Sequence, residues 1–224
     1  MISVIIPALN EEKYIRKCLE GLKKQTFKDF EVIVVDGNST DNTVKISKQY
    51  SKVVIAKNRG IGYQQNLGVK NAKGDILVFT QADVTFPPNI LYEINKAIES
   101  SKDIVGGSTT GIFEPINYKV KLLNLVSPII QKTLSITYGH CIFVRKDIFE
   151  KTTGFRNCIC EDCDFSFRLK KHGKVVILTD CSYLVSSRRF VHKGFYSPLW
   201  LWVSEYFKIK FGFRTPIEMY PAVR

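Results

Sequence analysis

The sequence predicts an α/β fold built on a Rossmann-like, mostly parallel central sheet flanked by helices. In the first hundred residues, short runs of β-branched residues alternate with segments of helical period, as in repeated βαβ units. The apolar runs are continuous, which is typical of parallel strands buried on both faces. The pattern loosens beyond about residue 105, but no linker or repeat divides the chain. We therefore expect one domain over residues 1–224.

The individual elements follow from local patterns. The expected strands are residues 4–6, 31–35, 53–56, 76–80 and 139–144. The apolar residues that recur at helical spacing after the first strand are Ile15, Cys18, Leu19 and Leu22. Asn10 precedes them in a position to cap that helix. Another helix is expected to begin in the acidic residues 161–164 and to end at Gly173.

Charge restricts the partners. The chain has 33 Lys and Arg against 21 Asp and Glu, a net charge of +12. This balance favours anionic partners, namely phosphorylated ligands, nucleic acid or an acidic membrane face. There is no helix-turn-helix, zinc-finger or RNP-type signature, so we do not expect nucleic acid to be the partner.

The cysteines and the N-terminus indicate the compartment. Six Cys occur at irregular spacing, and Met1 leads directly into the first strand without an apolar signal segment. We expect a cytoplasmic chain with reduced thiols, or one attached to the inner face of the cell membrane. The cluster Cys158, Cys160 and Cys163 lacks the paired spacing of zinc ribbons, which favours structural cysteines, free or disulfide-linked. We interpret His140 and His172 as structural or surface residues.

Two segments are unusually apolar, residues 116–136 and 195–213. Neither holds the roughly 18 uninterrupted apolar residues of a spanning helix. The second contains Trp200 and Trp202 among Phe, Tyr and Lys, the composition of an interfacial helix at lipid headgroups. Helices buried in a small core would look similar, so both interpretations stay open, and peripheral membrane contact is one of them.

Polar motifs follow three of the predicted strands, at residues 7–11, 36–41 and 81–83. Ligands of such sheets bind beyond the carboxyl ends of the strands. Asp36 is placed to accept a hydrogen bond from a base or ribose, whereas Ser39 and Asp41 are better explained as caps of the next helix. Asp83 is placed to hold a hard divalent cation against phosphate oxygens.

A second acidic motif, Glu161-Asp162-Cys163-Asp164, begins a predicted helix. Acidic residues there complement the helix dipole. Three carboxylates within four residues exceed that need, and one of them could be a general base whose pKa is raised by burial and by its neighbours.

Together these motifs resemble those of the family 2 glycosyltransferases, over roughly the first 175 residues. Several motifs in the same order are far more specific than any one of them. In chain order they are Pro7-Ala8-Leu9-Asn10-Glu11, Asp36-Gly37-Asn38-Ser39-Thr40-Asp41-Asn42-Thr43, Asn66-x-Gly68, Gln81-Ala82-Asp83, residues 139–155 and Glu161-Asp162-x-Asp164.

The resemblance implies a GT-A type fold with a donor half over about residues 1–105 and an acceptor half over about 106–224. It implies a nucleoside-diphosphate sugar as donor and a Mn²⁺ or Mg²⁺ cofactor. Asp83 would be the metal-binding end of the family's D-x-D motif. Asp162 would be the catalytic base, with Glu161 beside it. The nucleotide-binding residues would be Pro7, Ala8, Glu11, Asp36, Asn66, Gln81 and Ala82.

The chain departs from the family at two places. Gln81 stands where the first Asp of D-x-D is expected, which weakens metal binding or moves a ligand elsewhere, and His192 is our candidate. The nearby Arg188, Arg189 and Lys193 would bind the diphosphate. The Gln-x-x-Arg-Trp motif of processive members is absent, which argues for one sugar per encounter.

The expected function is inverting sugar transfer to a hydroxyl or to a lipid-linked acceptor, in glycan or glycolipid biosynthesis. Glu161 and Asp162 favour an enzyme, since a mere binder has no use for a base. Gln81 favours the alternative, a non-catalytic nucleotide-binding or membrane-adaptor protein with a degenerate site.

Overall fold

A computed structural model describes residues 1–58, 60–115, 117–137 and 140–217. Strands and helices alternate over the first hundred residues as predicted. The strands are β1 (Ile2–Ala8), β2 (Phe30–Asp36), β3 (Lys52–Ile55), β4 (Ile76–Thr80), β5 (Val84–Thr85), β6 (Ile104–Glu114), β7 (Cys141–Arg145) and β8 (Lys174–Ser186). The helices are α1 (Ile15–Lys23), α2 (Thr43–Ser47), α3 (Ile61–Val69), α4 (Ile90–Ser100), α5 (Tyr118–Leu134), α6 (Lys146–Lys151), α7 (Glu161–Leu169), α8 (Arg188–Lys193) and α9 (Tyr196–Lys210).

Within the described residues the strands form one sheet in the order β3-β2-β1-β4-β7-β6-β8-β5. The four strands β3, β2, β1 and β4 are parallel to one another, and β6 is parallel to β8. The strand β7 is antiparallel to both of its neighbours, and β5 is antiparallel to β8. The predicted α/β class with a mostly parallel sheet is confirmed.

The sheet is buried on both faces, which explains the continuous apolar runs. Successive side chains of a strand point to opposite faces. Val4 and Ile6 therefore pack in a cluster with residues of α1 and α4, whereas Ile5 packs in a second cluster with residues of α6 and α7. The helices lie on both sides of the sheet and hold its strand ends at fixed positions.

Two local predictions were wrong. Asn10 does not cap α1, because α1 begins only at Ile15 and Asn10 has a left-handed backbone with φ 57°. The helix expected to end at Gly173 ends at Leu169. Gly173 instead lies just before β8, where a Cβ would press against Val105 and the carbonyl of Asp103. Of the predicted strand 139–144, Gly139 lies outside the described residues, His140 precedes the strand, and residues 141–144 belong to β7.

All six cysteines are free. Burial raises the pKa of the Cys141 and Cys158 thiols to about 12, so these thiols are protonated and unreactive at neutral pH. The described ranges contain no group of three or more His, Cys, Asp or Glu suited to a metal.

The two apolar segments of the sequence form α5 and α9. In the part of the chain that is described, neither these helices nor any other is long and apolar enough to cross a bilayer.

Candidate active site

The carboxyl ends of β1, β2 and β4 lie at one edge of the sheet, as predicted. Ala8 at the end of β1 pairs with Asp36 at the end of β2, and β1 also pairs in parallel with β4. The segments that follow these strands carry the motifs of residues 7–11, 36–43 and 81–83. The fold therefore brings all three motifs to the same place.

The first two motifs are hydrogen-bonded to each other. The Asn10 amide donates to Ser39 Oγ at 2.9 Å, and the Thr40 amide donates to Asn10 Oδ1 at 2.8 Å. The Glu11 amide donates to Thr43 Oγ1 at 2.7 Å. These bonds make one rigid rim from two loops, and this is the role of Asn10 in place of helix capping.

Asp36 is buried at the base of this rim, with a side chain that accepts hydrogen bonds from Ser39. The Ser39 amide donates to Oδ2 at 2.9 Å and the Ser39 hydroxyl to Oδ1 at 2.5 Å. Ser39 therefore does not cap the next helix, which corrects the sequence-based interpretation. The N-cap of α2 is Asn42, so Asp41 does not occupy the cap position either, although its Oδ1 accepts from the amide of Thr43, the first residue of α2, at 2.9 Å.

Gln64 on α3 was missed by sequence reasoning. It is buried, and its Nε2 donates to the carbonyl of Ala8 at 3.0 Å and to that of Val35 at 2.7 Å. One amide thus ties the ends of β1 and β2 together beneath the rim. Nothing in the local sequence distinguishes Gln64 from Gln65, since the partners come from distant strands.

Arg188, at the start of α8, is held over the strand ends by two carboxylates. Its guanidinium forms a bidentate pair with Glu11, at 2.8 and 2.6 Å, and its Nε lies 3.1 Å from Asp83 Oδ2. The same group stacks 4.7 Å from the centre of the Tyr14 ring. Burial raises the pKa of Glu11, while Arg188 acts to lower it. One residue from each of the predicted nucleotide, metal and diphosphate sets therefore lies at this point.

One carboxylate oxygen of Asp83 makes no hydrogen bond with the described residues. This atom, Oδ1, is buried, while Oδ2 pairs with Arg188. An unpaired buried carboxylate oxygen fits a hard divalent cation, which proteins often hold with only one or two carboxylates. Gln81 gives no second carboxylate, and its backbone carbonyl accepts from the Cys18 thiol at 3.6 Å. His192 is exposed on α8, and its ligand role stays a prediction.

Arg189 and Lys193 lie on α8 beside Arg188. Burial lowers the pKa of Arg189, and the charges of Asp83 and Glu161 act in the opposite direction. Arg189 thus connects the metal-side carboxylate with the acidic motif of α7 electrostatically. His140, which we interpreted as structural, packs edge-on against Phe113 and Tyr183. Burial lowers its pKa, and the charge of Asp83 acts in the opposite direction.

The acidic motif forms the first turn of α7, as predicted. Glu161 is buried, and burial together with the neighbouring charge of Asp162 raises its pKa to about 8. Asp162 is half-buried, and its Oδ1 accepts from the Cys163 amide at 2.8 Å. Near neutral pH Glu161 is therefore largely protonated beside Asp162.

Asp164 has a different environment. It is 1% exposed and pairs with Arg156 at 3.3 Å, Arg168 at 2.8 Å and Arg214 at 2.5 Å. These contacts bind α7 to the loop before it and to the segment after α9. Asp164 is therefore a structural centre of the acceptor half rather than a base.

The remaining predicted nucleotide-binding residues contact the protein backbone or are buried in the core. Asn66 uses both ends of its amide on the backbone of Phe155, at 2.8 and 2.9 Å, so the structure gives it a partner other than a nucleotide. Pro7 and Ala8 are buried at the end of β1, and the Ala8 carbonyl accepts from the Gly37 amide at 2.8 Å. Ala82 is buried in the core. Their contacts to a nucleotide stay predictions.

The family model described as glycosyl transferase family 2 matches residues 3–153, more than half of the chain. The chain belongs to this family. Its motifs 7–11, 36–43 and 81–83 lie within the matched region, whereas α7 and α8 lie outside it. The resemblance inferred from the motifs is therefore confirmed.

One relative is similar over most of the chain. It is dolichyl N-acetyl-alpha-D-glucosaminyl phosphate 3-beta-D-2,3-diacetamido-2,3-dideoxy-beta-D-glucuronosyltransferase of Methanococcus voltae, 27% identical over 246 aligned residues that cover 89% of this chain and 77% of that protein. Two further curated relatives are much longer, and the match covers only 32% and 16% of their lengths.

Solved structures share the fold. S. aureus TarS in complex with UDP has a TM-score of 0.69 at 23% identity, covering 83% of this chain and 60% of that one. The mannosyltransferase PcManGT of Pyrobaculum calidifontis, in complex with GDP-Man and Mn²⁺, has a TM-score of 0.69 at 19% identity, covering 82% and 56%. These likenesses confirm a GT-A-like fold.

Proposed function

We propose that the chain transfers a sugar from a nucleoside-diphosphate sugar to a hydroxyl or lipid-linked acceptor, with inversion and one sugar per encounter. The observation that carries the proposal is the convergence of Glu11, Asp83 and Arg188 at the strand ends. Arg189 interacts electrostatically with Asp83 and with Glu161, the neighbour of Asp162. These interactions support a site that binds a diphosphate and a cation, with the base supplied by α7.

The donor lies across the rim formed by the first two loops. Asp36 and Glu11 accept hydrogen bonds from base and ribose, and Pro7 and Ala8 shape the floor. Arg188, Arg189 and Lys193 face the diphosphate, since guanidinium groups bind phosphate oxygens in a bidentate manner. TarS and PcManGT, which share the fold, were crystallised with UDP and with GDP-Man and Mn²⁺, which supports a nucleotide site at this edge.

The cofactor is Mn²⁺ or Mg²⁺ held by Asp83, whose Oδ1 has no other partner. When bound, such an ion offsets negative charge between carboxylate and diphosphate. Arg188 already pairs with Asp83 Oδ2, so phosphate oxygens of the donor would have to supply what the missing first Asp of D-x-D does not. The guanidinium also stabilises the charge on the departing diphosphate.

Asp162 is the base. It takes the proton of the acceptor hydroxyl as the acceptor oxygen bonds to the anomeric carbon and the bond from that carbon to the diphosphate breaks. Glu161 is neutral near pH 7 because burial raises its pKa to about 8, so it leaves Asp162 as the proton acceptor of the pair. A phosphate acceptor would arrive ionised, and Asp162 would then only position it.

The alternative is a non-catalytic nucleotide-binding or adaptor protein. Gln81 and the Arg188–Asp83 pair favour it, because a carboxylate already neutralised by Arg188 has less need of a cation. The two proposals differ in what Asp162 does, since an adaptor needs no base.

The test is Asp162→Asn. An amide keeps the hydrogen bond to the Cys163 amide but cannot accept a proton. We expect transfer to a hydroxyl acceptor to fall by about 10²-fold or more, while melting temperature and donor affinity stay near wild type. Transfer is measured with a panel of nucleotide-sugars in the presence of Mn²⁺.

Asp164→Asn is the matched control two positions away. It removes the negative charge that pairs with three arginines. It should therefore lower the melting temperature and have a smaller effect on the rate of transfer than Asp162→Asn. If Asp162→Asn retains most of its transfer to a hydroxyl acceptor, the base assignment is wrong. If no donor of the panel is turned over by the wild type, the adaptor alternative gains.

A further inference from the structure

The helix α5 presents an apolar stripe that no other described segment covers. Tyr118, Leu122, Leu125 and Ile129 follow one another at helical spacing, and their exposed fractions are 78%, 61%, 67% and 62%. Val126, Ile130 and Leu134 widen the stripe. A soluble surface rarely exposes so many adjacent large apolar side chains unless the patch binds something.

The helix α9 carries a second stripe of the same kind. Tyr196, Trp200, Phe207 and Phe211 recur at helical spacing with exposed fractions of 69%, 75%, 50% and 72%. The helix is anchored from its other side, where Glu205 and Ile209 are buried. The exposed aromatic residues therefore belong to a helix whose orientation the core already sets.

The two helices approach each other at both ends. At their beginnings, Lys119 Nζ of α5 lies 4.8 Å from the centre of the Tyr196 ring of α9. At their ends, Ile136, just after α5, packs in one cluster with Ile209 of α9 and Phe167 of α7. The two stripes thus form one surface, which we call the α5–α9 face. Its residues are Tyr118, Leu122, Leu125, Ile129, Tyr196, Trp200, Phe207 and Phe211.

The exposed charges on these two helices are all positive. Between them they carry five lysines and one carboxylate. The carboxylate, Glu205, is 1% exposed and accepts hydrogen bonds from Lys208 at 2.7 Å and Thr215 at 2.9 Å. The lysines are Lys119, Lys121, Lys132, Lys208 and Lys210. The residues of α5 and α9 therefore combine exposed apolar and aromatic side chains with lysines, and the carboxylate that these two helices carry is buried.

We propose that the α5–α9 face docks on the surface of an anionic lipid bilayer. Aromatic side chains and lysines beside an apolar stripe are the composition of helices that lie in the headgroup region. Each lysine near an anionic surface adds to the attraction. A second copy of the chain would fit less well, because two such faces would bring lysines together without carboxylates to pair with them.

The helix α9 also packs against α7 and α8, the two helices that carry part of the proposed site. Phe190 of α8, between the basic residues Arg189 and Lys193, stacks edge-on against Trp202 at 5.7 Å. Phe167 of α7 packs against Tyr206 of α9 at 5.7 Å. A bilayer at this face would bring a lipid-borne acceptor next to α7 and Asp162, and this last step alone rests on the proposed function.

The test is flotation of the purified chain with vesicles, without donor or cation. One set is phosphatidylcholine alone and the other contains a quarter phosphatidylglycerol. We expect binding to the anionic set that weakens at high salt. The double variant Leu125→Gln, Trp200→Gln should weaken it by roughly a hundredfold. The triple variant Lys121→Gln, Lys132→Gln, Lys210→Gln should weaken it by a similar factor.

Matched controls come from exposed residues away from the face. Ile55→Gln with Tyr92→Gln changes two side chains that are 51% and 50% exposed, and Lys23→Gln with Lys24→Gln and Lys48→Gln removes the same charge. Both controls should bind vesicles like wild type. Since all these side chains are exposed, the variants should fold, which circular dichroism checks.

Three outcomes would overturn the proposal. They are no flotation of the wild type, equal flotation with neutral vesicles, and equal loss in the controls. A dimer in light scattering that becomes a monomer only in the Leu125→Gln, Trp200→Gln variant would assign the face to a second copy. Because no turnover is involved, failure here leaves the transferase proposal intact, and a failed Asp162→Asn test leaves the vesicle result intact.

Discussion

Glu161 and Asp162 are adjacent in sequence but unequal in environment. Glu161 is buried, and burial is the larger cause of its raised pKa, with the Asp162 charge second. Asp162 is half-buried and bonds to the backbone of its own helix. A neutral Glu161 spares the start of α7 a second negative charge, which would otherwise be repelled by Asp162. The charge at the start of α7 therefore depends on whether Glu161 is protonated.

This difference predicts a pH dependence of stability. The pKa of Glu161 is about 8 in the folded chain against 4.5 for an ordinary Glu. Below pH 4.5 the carboxyl is protonated in both states and costs nothing. Between pH 4.5 and about 8 the unfolded chain binds fewer protons, so stability falls as pH rises. Glu161→Gln removes this dependence, and its melting temperature should exceed wild type increasingly from pH 5 to pH 8.

The control is Glu99→Gln, an exposed carboxyl at the end of α4. It should leave the slope of melting temperature against pH as in wild type. A Glu161→Gln variant that follows the wild-type slope would mean that Glu161 is ionised in the folded chain.

Individual residues differ in how far their roles could be predicted. Asp36, Asp83 and Asp162 could be proposed as site residues because each lies at a strand end or in the first turn of a helix in a recognisable motif, and their roles stay predictions. The partners of Asp164 and Asn66 could not, since Arg214 and Phe155 reach them through the fold. Gln64 likewise gains its role only when β1 and β2 are already side by side.

At the level of elements, the motif Asn66-x-Gly68 is explained by how closely α3 lies against the sheet. Asn66 bonds to the Phe155 backbone, and a Cβ on Gly68 would overlap Ile5 Cγ2 of β1 and lie 3.2 Å from Val35 Cγ2 of β2. The helix can rest on these strands because Gly68 has no side chain. Its position in turn places Gln64 beneath the two strand ends.

We therefore expect Gly68→Ala to destabilise the fold. Helix propensity alone would favour Ala by about 1 kcal/mol, but overpacking against Ile5 costs about 1–3 kcal/mol. The net effect should be a melting temperature a few degrees lower in thermal denaturation. Gly21→Ala in α1 is the matched control, because its Cβ would lie 3.3 Å from the Phe86 amide nitrogen, a milder contact. A Gly68→Ala variant at least as stable as Gly21→Ala would contradict the close packing.

Elements were predictable where local pattern determines them. β1, β2 and β4 were found because strands buried on both faces are apolar without interruption. The helices α5 and α9 could be found, but their surroundings could not, because an exposed apolar stripe and a buried one have the same spacing. Only the tertiary structure shows that Leu125 and Trp200 face outward.

For the whole molecule, the net charge of +12 has a distribution that the composition could not show. Part of the positive charge lies on α8, where Arg188 pairs with Glu11 and Asp83. Another part surrounds the α5–α9 face. On the two proposals above, the first group would meet a diphosphate and the second a lipid surface.

The last prediction concerns the nucleotide and the cation together. Because Arg188 already pairs with Asp83 Oδ2 and only Oδ1 is free, we expect Mn²⁺ to bind weakly alone and tightly with a nucleoside diphosphate that adds phosphate oxygens. UDP or GDP with Mn²⁺ should raise the melting temperature more than either alone, since a ligand bound only by the folded state stabilises it. A tenfold gain in affinity corresponds to about 1.4 kcal/mol. Asp83→Asn should abolish the gain from Mn²⁺, whereas Asp180→Asn, an exposed carboxylate on β8, should keep it. An equal nucleotide shift in excess chelator would remove the cation from donor binding.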